Sequence, residues 1–350
     1  MTIDAVESPI GIRRPGSGRF PFPVPNGWFG VARSDEVPPG GALAAHYFGR
    51  DLVVFRGTSG AVHVLDAYCA HLGAHLAAGA GSHLDRDPGP ATVCDDTIVC
   101  PFHAWRYDGS GRCVEIPYSD GRIPERARVR AFPTVERNGL VFAWHHLDGA
   151  PPAWEIPALD DFADPDYVEP IFTDRVIRTA LQELAENDHD SAHFVYVHGA
   201  EVPPVQQYEL HPNGRVKTTT ATIPAGRAIG NAVTLDHDVP FSRETHQLGY
   251  VLLRIPGVMS FMAASSPVDV DVTHQRWVFT YPKRLGAAGR AVVDAFADNG
   301  IYQDIPIWEH KRYVERPLLV KGDGPIAEYR RWVAQFYSSP VAGPATGAEA

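Results

Sequence analysis

Two short stretches of the sequence, Cys69-Ala70-His71 and Cys100-Pro101-Phe102-His103, decide the fold of the first half of the chain. Each follows a run that favours a β-strand, Val62–Tyr68 before the first and Thr97–Val99 before the second. Two thiolates and two imidazoles can bind zinc, or an iron–sulfur cluster in which one iron takes both sulfurs and the other both imidazoles. Because Cys-x-His is tighter than the usual zinc-finger spacing and both stretches carry Cys before His, the pattern favours the cluster. A zinc site and a purely structural role are the alternatives.

Three nearby residues are not expected to bind this metal centre. His75 lies outside the paired pattern, Cys94 has no histidine partner downstream, and Cys113 falls in a predicted strand, where it is expected to be buried. Four cysteines in 350 residues make no disulfide scaffold, which is typical of a cytosolic protein.

The sequence around the two stretches, from about Trp28 to His146, predicts a small antiparallel β domain. Short β-branched or alternating runs are separated by Gly-containing turns. Asn138-Gly139, between Val135–Arg137 and Leu140–Trp144, is the strongest short hairpin signal.

The composition changes after this β region. Asp148–Pro170 is rich in Pro, Asp and Glu, which predicts a linker or a wrapping loop. Arg175–Asp190 has apolar residues at helical spacing without Pro or Gly, which predicts a helix. Strands follow, and a second helical stretch is predicted from about Ala287 to the Pro306 region. Strands with few helices indicate an α+β second domain, in which helices cover one face of a sheet.

The overall charge and hydrophobicity argue against some functions. The 31 Lys and Arg against 42 Asp and Glu give a net charge of −11, which argues against nucleic-acid binding. No apolar run reaches membrane-spanning length, and Met1–Pro9 lacks the apolar core of a signal peptide, so a cytoplasmic protein is expected. Residues 1–19 are predicted to be a flexible arm and residues 341–350 a flexible tail.

A second group of candidate ligands, Asp190, His193 and His198, lies at the end of the first predicted helix. Asp190 and His193 would share a helix face, so the Asp190 carboxylate could accept a hydrogen bond from the His193 ring. His193 and His198 are about 140° apart on an ideal helix, so both can bind one metal only if the helix ends or bulges between them. A 2-His-1-carboxylate ferrous site would then need a distant carboxylate. His189 faces elsewhere and is expected at the surface or in packing.

Together the two groups resemble the α subunit of a Rieske-type non-haem iron oxygenase. The motifs that carry the resemblance are Cys69-x-His71…Cys100-x2-His103 and Asn187-x2-Asp190-x2-His193-x4-His198. The resemblance implies a Rieske 2Fe–2S cluster with one iron bound by Cys69 and Cys100 and the other by His71 and His103. It also implies that His193 and His198 bind a mononuclear Fe(II) and that Asp190 is the acid that bridges the two centres.

More narrowly, the chain resembles the steroid and sterol branch of this family, the bacterial 3-ketosteroid 9α-hydroxylase oxygenases and the animal cholesterol 7-desaturases. Gln303-Asp304-Ile305-x-Ile307-Trp308 matches the segment that supplies the third iron ligand, which implies Asp304. Its rival, Asp323, lies between glycines and is better suited to a turn. Further matching stretches are Pro25–Phe29, Val62–Gly73, Cys100–Tyr118, Gly139–Trp144, Pro151–Pro157 and Gln303–Phe336.

The resemblance implies a Rieske domain at 20–148 and a helix-grip catalytic domain, an antiparallel sheet with helices, at 149–340. It implies an enzyme that uses O2 and two electrons to hydroxylate or desaturate a hydrophobic polycyclic substrate, with a steroid or sterol favoured. Because the chain has no flavin or nicotinamide fingerprint, a separate ferredoxin or ferredoxin reductase must supply the electrons, so that NAD(P)H acts only indirectly. A head-to-tail homotrimer is implied, in which the short electron path crosses a subunit interface through Asp190.

Two other functions stay open, and the sequence differs from the family pattern at two places. The same chemistry could act on an aromatic or natural-product ring, or the chain could be an electron carrier or binding protein without oxygenase activity. The gap between His71 and Cys100 is longer than the common pattern, and its excess, Ser82–Asp96, is interpreted as a surface hairpin extension. Pro306 follows Asp304 closely and predicts a helix break there.

Overall fold

The computed structural model describes residues 18–79, 91–199, 207–211, 215–229, 232–299 and 302–338. The predicted tail and all but the last two residues of the predicted arm lie outside these ranges, as does the first part of the predicted extension at 82–96. Within them, the strands are β1 (Gly27–Arg33), β2 (Ala42–Tyr47), β3 (Arg50–Arg56), β4 (Val62–Asp66), β5 (Thr92–Cys94), β6 (Thr97–Val99), β7 (Arg106–Asp108), β8 (Cys113–Glu115), β9 (Ala131–Phe132), β10 (Thr134–Arg137), β11 (Leu140–His145), β12 (Ile171–Ile177), β13 (Gln207–Leu210), β14 (Lys217–Ile223), β15 (Ala228–Ile229), β16 (Val233–Thr234), β17 (Val239–Gln247), β18 (Tyr250–Ile255), β19 (Met259–Asp269) and β20 (Val272–Thr280). The α-helices are α1 (Leu181–Glu186), α2 (His193–Tyr196), α3 (Gly286–Asn299), α4 (Ile305–His310) and α5 (Ile326–Val333).

The first half of the chain folds into three small antiparallel sheets, with strand orders β1-β11-β10, β2-β3-β4-β9 and β5-β6-β7-β8. The predicted hairpin joins β10 to β11 through Asn138 and Gly139, whose φ angles are 51° and 77°. Two successive positive φ angles match the type I′ turn that this dipeptide favours.

The second half is built on a seven-stranded antiparallel sheet with the order β12-β20-β19-β18-β17-β14-β13, and β15 and β16 form a separate two-stranded sheet. Strand β18 of the seven-stranded sheet is apolar at nearly every position because both faces of that sheet are covered. Tyr250 and Leu252 pack in the core that contains Trp28 and Phe142 of the first half, whereas residues on the other face pack against α3. The predicted α+β class, with an N-terminal antiparallel β domain and a sheet-and-helix second domain, is confirmed.

The predicted helix over Arg175–Asp190 is wrong for its first part and too long at its end. Ile171–Ile177 is a strand that pairs along its whole length with β20, and the helix begins only at Leu181. A strand of seven residues paired to a distant partner outweighs the local helical spacing. The helix ends at Glu186, and a single 3-10 turn, Asn187–His189, follows it.

Residues 148–170 form the wrapping loop rather than a free linker. Ile156 and Leu159 are 4% exposed, and both lie in the core that Trp28 and Trp144 share with the large sheet. This loop therefore helps to fix the first half of the chain against the second. In the described part of the chain, no helix is long and apolar enough to cross a membrane.

Candidate metal centres

The loops Cys69–Ala74 and Cys100–Trp105 have the same main-chain conformation. In each, the first N–H donates to the carbonyl of the sixth residue, at 2.9 and 2.8 Å, and the fifth N–H donates to the carbonyl of the first, at 3.0 Å in both. The fifth residues, Gly73 and Ala104, have φ angles of 73° and 57°, in the left-handed region. Cys precedes His in both stretches of the sequence, and the two loops that they form have the same main-chain hydrogen bonds.

The four side chains of these loops offer sulfur on one side and imidazole on the other. Cys69 and Cys100 are 4% and 2% exposed and carry free thiols. The rings of His71 and His103 lie 4.9 Å apart, and the buried Nδ1 of His103 has no hydrogen-bond partner among the described residues. Two thiols, two facing imidazoles and an unpaired ring nitrogen fit a 2Fe–2S cluster of the Rieske type.

Burial raises the pKa of the Cys100 thiol, the main-chain N–H groups of Phe102 and His103 oppose that shift, and the neighbouring Cys69 sulfur adds to it. Binding of a cation by Cys100 would offset this penalty on its ionisation. This electrostatic situation also suits a pair of cluster ligands.

Two aromatic residues that the sequence interpretation missed complete this site. The buried Tyr107 hydroxyl lies 3.1 Å from the Cys69 sulfur and accepts a hydrogen bond from the N–H of Ala70 at 3.2 Å. Trp105 stacks on His71 with centroids 4.7 Å apart. The available signal was a large aromatic residue at alternate positions, 105 and 107, where the second loop passes into strand β7.

The structure gives His75, Cys94 and Cys113 other surroundings. The ring of His75 packs edge-on against Tyr68, and its Nδ1 accepts the N–H of Ala77 at 3.2 Å. Cys94 lies in the β5–β6 hairpin, which forms the described end of the predicted extension, and Cys113 is buried in strand β8 at 6% exposure. That these three residues are not ligands stays a prediction.

The structure brings His193, His198 and Asp304 together, although Asp304 is far from the histidines in sequence. One possible ligand atom from each lies within 4.8 Å of the other two. The His198 Nε2 and Asp304 Oδ2 atoms are 3.2 Å apart, and the two imidazole rings are 5.2 Å apart. Burial raises the pKa of the Asp304 carboxyl, and the two histidines oppose that shift.

Local structure explains why the two histidines converge. Helix α2 is a single turn that ends before His198, so the required break between His193 and His198 is present. Asp304 stands directly before α4, and Pro306 is the second residue of that helix. Proline suits the first turn of a helix, so Pro306 begins α4 instead of disturbing the position of Asp304.

Hydrogen bonds orient the rings of this site. Gln303 Oε1 lies 2.8 Å from Nδ1 of His198, which leaves Nε2 directed at Asp304. The Nδ2 group of Asn187 lies 3.1 Å from Nε2 of His193 and donates to Asp304 Oδ2 at 3.2 Å. Sequence reasoning included Asn187 and Gln303 in motifs but gave them no role.

The predicted geometry of Asp190 is wrong. Asp190 has an extended conformation after the 3-10 turn, so it shares no helix face with His193. Its main-chain carbonyl, not its carboxylate, is the partner of the His193 Nδ1. The carboxylate Oδ1 instead accepts the N–H groups of Ala192 and His193, at 3.0 and 3.2 Å, and so fixes the start of α2.

The two remaining candidates lie outside the three-ligand group. Asp323 closes a turn by accepting the N–H of Val320 at 2.7 Å. His189 is 3% exposed and stacks on Tyr329, with ring centroids 4.4 Å apart, so it is a packing residue.

A cavity of about 80 Å³ adjoins the three-ligand site. One wall consists of Leu184, Ala185 and Asn187 together with Asp304 and Trp308. The other wall is the face of the large sheet, with Val251, Phe261, Ala263, Ser265, Gln275 and Trp277 among its residues. Larger clefts exist at the surface near residues 130–156, but none of the candidate ligands lines them.

Comparison with known proteins shows the family of this chain. Residues 27–133 match the Rieske 2Fe-2S domain, and residues 143–337 match the 3-Ketosteroid 9alpha-hydroxylase C-terminal domain. The chain belongs to the Rieske oxygenase family. It is therefore an oxidoreductase of the Rieske oxygenase type, as the sequence resemblance predicted.

Relatives of this Rieske oxygenase are found in animals and bacteria. It is 31% identical to the cholesterol 7-desaturase of Caenorhabditis elegans, over 92% of this chain and 78% of that protein. It is also 31% identical to the 3-ketosteroid-9-alpha-monooxygenase oxygenase component of Mycolicibacterium smegmatis, over 94% of this chain and 86% of that one.

Solved structures of more distant proteins share the fold of this Rieske oxygenase. Dicamba monooxygenase bound to dicamba superposes with a TM-score of 0.67 at 20% identity, over 89% of this chain and 96% of the other. NdmA of Pseudomonas putida CBB5 with caffeine gives a TM-score of 0.67 at 23% identity, over 87% and 89% of the two chains. These likenesses support the architecture.

Proposed function

We propose that this protein is the oxygenase component of a system that hydroxylates or desaturates a steroid or sterol. The observation that carries the proposal is the match of residues 143–337 to the 3-ketosteroid 9α-hydroxylase C-terminal domain, in a chain whose candidate ligand Asp304 lines a cavity. In hydroxylation one atom of O2 enters the product and the other leaves as water, whereas in desaturation both leave as water. Either reaction consumes two external electrons and two protons.

His193, His198 and Asp304 would hold a single Fe(II), and Cys69, His71, Cys100 and His103 would hold the Rieske cluster. Two imidazoles and one carboxylate form the ligand set of non-haem ferrous oxygenases. When both groups are bound, they supply stored electrons and a metal site open to O2 and substrate.

The surrounding residues keep the three ligands in place. Asn187 lies within hydrogen-bond distance of both His193 and Asp304, and Gln303 fixes the orientation of His198. Such partners orient ligands and set which ring nitrogen faces the metal. Asp304 is only 3% exposed, so its carboxylate is held away from bulk water.

Exposed apolar side chains support an assembly of several copies of this chain. Leu72, Phe102 and Tyr118, around the cluster loops, are 64%, 60% and 61% exposed. A second apolar segment, Leu318–Val320, is 99%, 42% and 74% exposed. It leads into Gly324, which packs so closely against the main chain of residues 189–191 that a β-carbon would lie 2.3 Å from the His189 carbonyl.

Two different apolar patches, one at the cluster loops and one near Asp190, suit a head-to-tail ring of subunits. We propose a trimer, in which the cluster loops of one subunit face the Asp190 region of the next. Asp190 Oδ2 takes no hydrogen bond from the described residues, and it would accept one from His71 or His103 of the neighbouring subunit. Asp190 would in this way connect the two centres.

The electrons would come from a separate ferredoxin or ferredoxin reductase. The C-terminal match accounts for the chain from residue 143 to 337 and the Rieske match for 27–133, and neither is a flavin or nicotinamide module. NAD(P)H would therefore reach this protein only through the partner.

The iron assignment is tested by comparing Asp304→Ala with the control variant Asp323→Ala. Asp304→Ala should lose mononuclear iron and turnover but keep the cluster absorption, because its side chain contacts His198 and Asn187 and none of the four cluster-loop candidates. Asp323→Ala should retain both metals and activity. Loss of iron from Asp323→Ala with full iron in Asp304→Ala would overturn the assignment.

The role of Asp190 is tested with Asp190→Asn, which retains the oxygen that accepts the N–H groups of Ala192 and His193 but removes the charge. The variant should keep normal metal content and lose turnover about a hundredfold. In single-turnover experiments its reduced cluster should stay reduced when substrate and O2 are added. Cluster oxidation at the wild-type rate would refute this role.

The subunit arrangement is tested by mixing two inactive variants, Asp304→Ala and the cluster-deficient Cys100→Ser, under conditions that allow subunits to exchange. Mixed rings should recover turnover, because an intact cluster of one subunit then faces an intact iron site of the next. The unmixed variants are the controls. No recovery in rings that demonstrably contain both subunits would argue for transfer within one subunit.

A further inference from the structure

Two buried polar atoms on strand β20 have no hydrogen-bond partner among the described residues, Oε1 of Gln275 and Nε1 of Trp277. Gln275 is 5% exposed. Leaving a buried donor or acceptor unpaired costs about 1–3 kcal/mol, so native proteins retain few such atoms. An unpaired acceptor and an unpaired donor two residues apart on one strand point to a ligand group that can pair with both.

Gln275 and Trp277 are two residues apart on one strand, so they lie on the same face of the sheet. Both line the cavity that reaches Asp304. Their neighbours across the β19–β20 pair are the small residues Ser265 and Ala263, which leave room above this part of the sheet.

The position in the cavity distinguishes these two atoms from other buried, unpaired polar atoms. Thr179 Oγ1, Gln182 Oε1 and Trp332 Nε1 are also unpaired among the described residues, but none of these residues lines the cavity. Gln275 and Trp277 additionally border a void of about 10 Å³, which is large enough for at most one water molecule. A single water is therefore the competing occupant.

We propose that Gln275 and Trp277 bind a hydroxyl group of the substrate and hold the carbon skeleton so that it extends toward Asp304. A hydroxyl donates one hydrogen bond, here to Gln275 Oε1, and accepts another, here from the Trp277 N–H. A ketone accepts only, so it would leave Gln275 Oε1 facing a second acceptor. The inference rests on the proposed function and narrows its substrate class to polycyclic alcohols, in preference to the ketones of the same skeleton.

The size of the cavity has a consequence for binding. About 80 Å³ is well below the roughly 300–1,000 Å³ typical of small-molecule sites. A four-ring ligand therefore needs the walls of the cavity to move apart, and these walls include the ion pair of Arg243 with Asp188.

The experiment measures equilibrium binding of cholestanol and cholestanone to the oxidised holoenzyme without reductant, so that no turnover occurs. Fluorescence of the tryptophans near the cavity, or equilibrium dialysis, reports the dissociation constant. The wild type should bind the alcohol at least about tenfold more tightly than the ketone, which corresponds to about one buried hydrogen bond.

The variants separate the two contacts. Gln275→Leu should weaken alcohol binding and abolish the preference over the ketone, whereas Trp277→Phe should weaken both ligands. Trp332→Phe is the matched control, because Trp332 has an unpaired buried indole N–H among the described residues but does not line the cavity, and the change should alter neither affinity. The unfolding temperature of each variant checks that the fold is intact.

Other outcomes overturn the inference. If alcohol and ketone bind equally, or the ketone binds more tightly, or Gln275→Leu leaves the preference unchanged, the two residues do not bind a substrate hydroxyl and the small void holds only water. If neither polycyclic ligand binds but an aromatic acid does, the proposed substrate class itself fails.

Discussion

At the scale of a single residue, His145 is a feature that the function does not use. Its side chain is buried at 4% exposure and stacks on Phe48, with ring centroids 4.6 Å apart. Neither ring nitrogen has a hydrogen-bond partner among the described residues. Burial, together with the nearby positive charge of Arg130, lowers the pKa of this imidazole to about 4.

This pKa predicts a loss of stability in acid. An unfolded histidine has a pKa of about 6.5, so the unfolded chain binds the proton first as the pH falls, and stability is lost between about pH 6.5 and pH 4. From pH 7 to pH 5 the group should account for about 2 kcal/mol of lost unfolding free energy.

Urea unfolding at the two pH values measures this effect. Between pH 7 and pH 5, the unfolding free energy of His145→Leu should fall by about 2 kcal/mol less than that of the wild type. His237→Leu, a change at an exposed histidine, should show the same fall as the wild type. An equal loss in His145→Leu and the wild type would contradict the prediction.

At the scale of elements, helix α1 carries acidic side chains into the interior. All six of its residues are buried, including Glu183 and Glu186. Glu186 is paired with Arg330 of α5 through two hydrogen bonds, of 2.6 and 2.9 Å, and Glu183 with Lys311 at 2.8 Å. The first pair connects α1 to α5, and the second connects α1 to Lys311, which directly follows α4.

Breaking the first pair should be costly. Arg330→Met leaves the Glu186 carboxylate buried without its partner, which should lower the unfolding free energy by about 3 kcal/mol. Arg331→Met, an exposed neighbour on the same helix, is the control and should have little effect. Adding Glu186→Gln to Arg330→Met should recover part of the loss; additive losses in the double variant would show that the pair is not coupled.

Some elements could be predicted from local sequence patterns alone, and others could not. Asn138-Gly139 and the two Cys/His loops were predicted correctly, because turn geometry depends on a few adjacent residues. Strand β12 was predicted as a helix, because its pairing partner β20 lies about a hundred residues away and only the folded chain supplies that partner.

At the scale of the whole molecule, one hydrophobic core joins both halves of the chain. Phe29 and Val54 of the first half pack in the same cluster as Leu181, Trp332 and Phe336 of the second half. The main-chain N–H of residue 26 also donates to the carbonyl of residue 336 at 2.7 Å. The two halves should therefore unfold together.

Phe336→Ala tests this coupling, because Phe336 is fully buried and its truncation should cost about 3–5 kcal/mol. The temperature at which the cluster colour is lost and the temperature at which the large sheet unfolds, followed by circular dichroism, should fall by the same amount. Leu147→Ala, at a 53% exposed position, is the control. A fall in the sheet transition alone would show that the first half is stable independently.

Adjacent residues were enough to predict the two Cys/His loops and the His193–His198 segment, because metal-ligand spacing within a loop or a short helix is a local property. The sequence also reached Asp304, but only through resemblance to a family, since nothing in the spacing links that residue to the two histidines. Tertiary structure decided which acid could join them, which atoms of Asp190 face His193, and that Gln275 and Trp277 share a cavity with Asp304. The physical reason is that local backbone conformation follows from adjacent residues, whereas convergence of side chains from separate strands and helices depends on the pairing and packing of the whole chain.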